Sequence, residues 1–151
     1  MATHHFSASA LIQAPPQGLY AIIADYHHGH PQILPKPPFV SLVVEQGGTG
    51  AGTVIRVHMR VLGQLQMFRS VVTEPEPGRV LVETNDNGYV TTFMVEPRAD
   101  GQHAYVTIAT EITGRAGISG ALERWFVPRL LRPVYVKELG RLAAVAGARA
   151  G

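Results

Sequence analysis

Three histidines fall within four positions in Tyr26-His27-His28-Gly29-His30-Pro31. Neutral imidazole is a good ligand for zinc and similar ions, but a closed site needs four ligands and a catalytic one needs three with a fourth position open. The adjacent acid, Asp25, reads as a local cap, so the segment is taken as a loop at a cavity entrance that holds no metal. A single histidine there (His27, His28 or His30) can act as acid or base on a bound molecule, because its ordinary pKa lies near about 6.5. A second group is polar and lies on strand-like segments: Arg69, Glu83, Asn85, Tyr89 and Thr91. Facing inward, an Arg69–Glu83 pair would be the sharpest catalytic arrangement the chain offers. Facing outward, both are ordinary sheet-surface residues, since charged side chains are seldom buried unpaired. The alternation around each leaves both orientations open.

Aromatic residues on helical faces form a third group. Tyr20, Trp125, Phe126 and Tyr135 suit core packing, and Trp125 and Tyr135 equally suit a pocket wall, with an apolar body and one polar tip. Other chemistries are excluded. There is no cysteine, which removes thiolate catalysis, disulfides and iron–sulfur clusters. The glycine-rich run Gly47 to Gly52 lacks the Gly-Lys-Ser/Thr ending and joins strand to strand, so it is no phosphate loop. No Gly-x-Ser-x-Gly elbow exists, and Ser119 reads as a helix cap.

The elements that must position these residues are read from periodicity. His5 to Gln13 alternates as a strand; Ala14-Pro15-Pro16 stops it, and proline suits the first turn of a short helix over Gln17 to Ala24. Asp25 to Pro38, rich in proline, is a loop with at most one helical turn. Six strands follow: Phe39 to Gln46, Thr53 to Leu62, Leu65 to Glu74, Arg79 to Thr84, Tyr89 to Glu96 and Ala104 to Thr113. Thr53 to Leu62 is the clearest, with Ile55, Val57, Met59 and Val61 on one face and Arg56, His58 and Arg60 on the other. Hairpin-length connections make the sheet antiparallel, with helices on one side only. Gly117 to about Arg149 closes the chain as a long helix containing Pro128 and Pro133, which are expected to bend it. Its apolar stripe is Ile118, Leu122, Trp125 and Phe126 before the prolines, and Leu131, Tyr135, Leu139, Leu142 and Ala146 after them. On one ideal helix the two stripes do not coincide, so a bend is expected to turn both inward and leave a hollow over the sheet.

Apolar residues make up 46% of the 151 and charged ones 16%, below the usual quarter. That balance suits one domain, residues 1–151, with extra apolar surface to bury. The formal charge is +2 and the arginines are scattered, which argues against nucleic-acid binding. Met1 to Gln13 lacks the basic start and apolar core of a secretion signal, and no apolar run spans a membrane, so a cytoplasmic location is expected.

Four segments, "LIQAPPQGLYAIIADY", "GGTGAGTVIRVHMRVLG", "VVTEPEPGRVLVET" and "LERWFVPRLLRPVYVKELGRL", together with the element order, resemble the START-like (SRPBCC) superfamily, the polyketide cyclase/dehydrase and lipid-transport group. The resemblance covers nearly the whole chain. It implies an α+β helix-grip fold: a curved antiparallel sheet of about seven strands around the last helix, with a cavity between them. It transfers no catalytic motif, and no residue inherits a role from it.

Three classes of function follow. The first is binding of an apolar or aromatic small molecule, such as a lipid, quinone or polyketide-like compound, against Ile55, Val57, Met59, Tyr89, Val106, Ile108, Trp125, Phe126 and Tyr135. The second is a cofactor-free cyclase or dehydratase in the same cavity, using His27, His28, His30, Arg69 or Glu83. The third is a protein-interaction module with a small or filled cavity. None of the three calls for a cofactor.

Overall fold

Period-two alternation becomes a seven-stranded antiparallel sheet in the computed structural model, which describes residues 3–113 and 117–150. In chain order the elements are β1 (Thr3–Ile12), α1 (Pro16–Ala24), α2 (Gly29–Ile33), β2 (Phe39–Gln46), β3 (Val54–Val61), β4 (Gln64–Glu76), β5 (Val80–Asn85), β6 (Tyr89–Pro97), β7 (Ala104–Thr113) and α3 (Gly117–Ala150). Every connection from β2 to β7 is a hairpin, and β1 returns to pair with β7, giving the order β1-β7-β6-β5-β4-β3-β2. This is the helix-grip architecture, with all three helices on the face lined by Phe6, Ile55, Leu81, Phe93 and Ile108. No helix among the described residues is long and apolar enough to cross a membrane.

The inner face divides into two parts. On the β1–β7 side, Ala104, Val106, Ile108 and Ile112 are fully buried, and the C-terminal half of α3 seals them with Leu139, Leu142 and Ala146. Fully burying the valine, isoleucine and leucine side chains among them contributes about 1.5–3 kcal/mol each. On the β2–β5 side no such seal forms, and the space beneath α3 stays open.

Helix α3 continues for 34 residues through Pro128 and Pro133. Each proline removes one backbone hydrogen bond. The two apolar stripes are not both turned inward. Tyr135, Leu139, Leu142 and Ala146 are buried, whereas Leu122, Trp125 and Phe126 are 56%, 53% and 40% exposed; the side chain of Ile118 lies outside the described residues. The helical period continues across the prolines. The inward face of the first half is therefore Glu123, Val127 and Leu131, in line with Tyr135 and Glu138. The outer stripe is a second face of the helix, on which Arg129 stacks over the Trp125 ring at 4.4 Å.

Candidate functional site

Between α3 and strands β2 to β6 lies a cavity of about 350 Å³, within the range of small-molecule sites. Its wall is mostly apolar. Ile55, Val57 and Met59 come from β3, Phe68 from β4 and Phe93 from β6, and Val127, Leu130 and Leu131 close it from α3. Alternation dictates the strand contribution, because Val57 pairs with Phe68 across one ladder and Leu42 across the other, so all three share a face.

Polar groups converge at one end, where His30, Glu83, Thr91, Tyr135 and Glu138 line the cavity. Local chain geometry positions His30. Asp25 accepts hydrogen bonds from the amides of His27 and His28 at 3.1 and 3.2 Å and ends α1 in a tight turn. Gly29 then lies so close to α1 that a Cβ there would come within 2.4 Å of the Ile22 carbonyl oxygen. This close approach drives His30 inward, where it is 2% exposed. Its Nδ1 donates to the Ile23 carbonyl at 2.7 Å; a carbonyl can only accept, so that nitrogen carries a proton. The other ring nitrogen, Nε2, faces Glu83 Oε2 at 3.5 Å. Tyr26 stacks on the His30 ring with centroids 4.5 Å apart and donates its hydroxyl to the same Glu83 oxygen at 2.6 Å. Burial, and next the Glu83 charge, push the Tyr26 phenol well above its ordinary pKa, which keeps it a donor.

Glu138 enters from α3. It is 2% exposed, and burial, followed by the charge on Glu83, holds its carboxyl well above the usual range. Beside it, Thr91 and Thr110 join hydroxyls at 2.9 Å, and Thr110 is hydrogen-bonded to the Tyr135 hydroxyl. The result is a mostly apolar chamber, one end of which carries a carboxyl whose uncharged form burial favours, a second carboxyl that accepts from Tyr26, an imidazole and a hydroxyl chain. Such a set can fix the polar group of an otherwise apolar ligand and move a proton to or from it. At the opposite end Asn85, Asn87 and Gln66 line the cavity, and Tyr89 donates to Glu123 at 3.1 Å.

The residues singled out from sequence separate clearly in space. His30, Glu83, Ile55, Val57, Met59, Tyr89 and Tyr135 all line the cavity. Val106 and Ile108 face the same side but lie beneath the sealed half of α3, away from it. Trp125 and Phe126 project from the outer stripe of α3. Arg69 forms no pair with Glu83: it is exposed on the outer face of β4, where its Nε donates to Glu45 at 2.6 Å. That bond holds the Glu45 carboxyl below its usual pKa. One position earlier, Phe68 lines the cavity, so the strand's alternation sends Arg69 outward. His27 and His28 are exposed. The His27 ring packs where a side chain at Gly48 would stand, and His28 lies 3.9 Å from Asp25. His30 is thus buried away from His27 and His28, whose exposed rings lie 6.3 Å apart, and no cluster among the described residues is arranged to hold a metal ion.

At this end of the cavity Tyr26, Thr110 and Glu138 are not among the residues singled out from sequence. A signal for Glu138 existed: it stands three residues after Tyr135 and four before Leu142, an acid set into the buried stripe. Tyr26 had none beyond its place next to the histidines.

A family model described as polyketide cyclase/dehydrase and lipid transport matches residues 3–147. No curated protein matches the chain. Among solved structures, KanY is 26% identical with a TM-score of 0.82, covering 97% of this chain and 99% of its own. The Zhui aromatase/cyclase from a Streptomyces species is 16% identical with a TM-score of 0.80, covering 99% and 97%. A START superfamily protein from Mycobacterium smegmatis is 14% identical with a TM-score of 0.72, covering 96% and 98%. The last two likenesses are likenesses of fold.

Proposed function

Since the chain belongs to the polyketide cyclase/dehydrase and lipid transport family, we propose that it acts as one domain that binds an apolar or aromatic small molecule, of lipid, quinone or polyketide-like character, in the cavity beneath α3. The observation that carries this reading is the chamber itself: about 350 Å³, walled mostly by aliphatic and aromatic side chains, with Glu83, Glu138 and His30 grouped at one end. A core of this size is normally filled. Apolar contact supplies affinity at about 25 cal/mol per Å² buried, and the polar end sets orientation.

A thermal-shift screen against quinones, aromatic polyketides and lipids tests it. A ligand at about 100 times its Kd stabilises the folded state by about 2.7 kcal/mol, which at this chain length raises Tm by about 5–10 °C. Absence of any stabilising compound across all three classes would overturn it.

A second reading, cofactor-free acid–base chemistry on the bound molecule, is favoured by one arrangement. A neutral acid, Glu138, and a carboxylate–imidazole pair, Glu83 and His30, share the polar end. Proton transfer requires an acid and a base within reach of the bound molecule.

A further inference from the structure

We propose that the ligand carries a protonated amine and that its ammonium group is held between Glu83 and Glu138; this rests on the reading of the cavity as a ligand site. The argument begins with a charge inventory. The described lining carries three carboxyl groups, Glu83, Glu123 and Glu138, one imidazole, His30, and neither lysine nor arginine.

Four arginines close in sequence to the lining residues are engaged elsewhere. Arg56 and Arg69 both pair with Glu45 on the outer face of the sheet. Arg129 lies over Trp125 on the outer stripe of α3, and Arg141 Nε donates to the Gln32 carbonyl at 2.9 Å. A carboxylate head group brought to the end that holds Glu83 and Glu138 would add a further negative charge to a buried acidic cluster, where like charges repel without solvent screening.

A cation has the opposite effect. Burial, and next the charge on Glu83, favour the uncharged form of Glu138. An ammonium between them offsets both the desolvation and the repulsion. Its three donors meet the acceptors present, which are the two carboxyl groups and the hydroxyl oxygens of Thr91 and Tyr135. The amine enters protonated, and the proton held by Glu138 leaves to solvent. Every titratable group around the position is then accounted for: Tyr26 and His30 from the α1–α2 side, Glu83 from β5, and Tyr135 and Glu138 from α3.

The test is a calorimetric titration of the full chain at neutral pH with naphthylethylamine, naphthylethanol and naphthylacetate, which share one apolar body. The expected result is that the amine binds about tenfold tighter than the alcohol and about a hundredfold tighter than the acid. Its advantage over the alcohol falls in Glu138→Gln. Equal affinity for amine and alcohol, an acid that binds as well as the amine, or an advantage untouched by Glu138→Gln would each overturn the amine assignment while leaving the cavity as a binding site. Binding of none of the three would overturn the cavity reading and this inference with it.

Discussion

Val57→Trp abolishes ligand binding while the fold persists. Val57 sits in the middle of the cavity wall on β3, between Leu42 and Phe68 on its two neighbours. An indole there projects into open space, not into packed core, so the variant escapes most of the roughly 1–3 kcal/mol that overpacking costs elsewhere. The ligand's own volume is what the indole removes. Affinity for any compound identified by thermal shift falls by about a hundredfold or more, and unliganded Tm changes by no more than about 5 °C. Leu11→Trp is the matched control, because Leu11 is 60% exposed on β1; it leaves affinity unchanged. Undiminished binding by Val57→Trp would place the ligand elsewhere.

Glu138→Gln stabilises the protein at neutral pH and does so progressively less as pH falls. The Glu138 carboxyl stays protonated in the folded chain, its pKa raised by burial and then by Glu83. In the unfolded chain it ionises near its ordinary value of about 4.3. Below that value both states hold the proton and burial carries no ionisation penalty. As pH rises through it, the unfolded state releases the proton, the folded state keeps it, and stability falls until the raised folded pKa is reached. Glutamine has no proton to release. The variant should therefore melt about 3 °C or more above the parent at neutral pH, since one pKa unit is about 1.4 kcal/mol and each kcal/mol shifts Tm by about 2–4 °C at this size. The gap should close toward pH 4. Melting curves over that pH range decide it; a gap independent of pH, or a variant that is less stable at neutral pH, contradicts a buried neutral acid.

The sheet is legible from sequence because most strands from Phe39 onward alternate and each connection carries its own turn residues. Thr53 to Leu62 was read with the correct inward face, and that face brings Ile55, Val57 and Met59 to the cavity. Three matters were not legible. The sidedness of Arg69 and Glu83 depended on register, which the ladders settle: Glu83 pairs with Thr91 and Val72, both buried, while Arg69 pairs with Arg56 on the outer face. The division of the inner face into sealed and open halves depended on where α3 makes contact, so Val106 and Ile108 could not be told from true lining residues.

The outer stripe on α3 was the largest departure. Leu122, Trp125 and Phe126 have the spacing of a buried stripe, and a bend at the two prolines would be needed to turn them inward. The helix keeps its period instead, and Glu123, Val127 and Leu131 face the cavity in their place. The same periodicity that misplaced Trp125 and Phe126 places Glu138, because an acid on the face of Tyr135 and Leu142 has nowhere to go but inward.

Where a bound molecule sits is the most direct test of the central claim. The full chain, labelled with carbon-13 at its methyl groups, can be titrated with N-phenylnaphthylamine, and isotope-filtered NOEs will identify which methyls touch the probe. Contacts with Val57, Ile55, Val127 and Leu131 are the predicted result. Contacts with Leu122 and Val136 on the outer face of α3, and none with Val57, would contradict it.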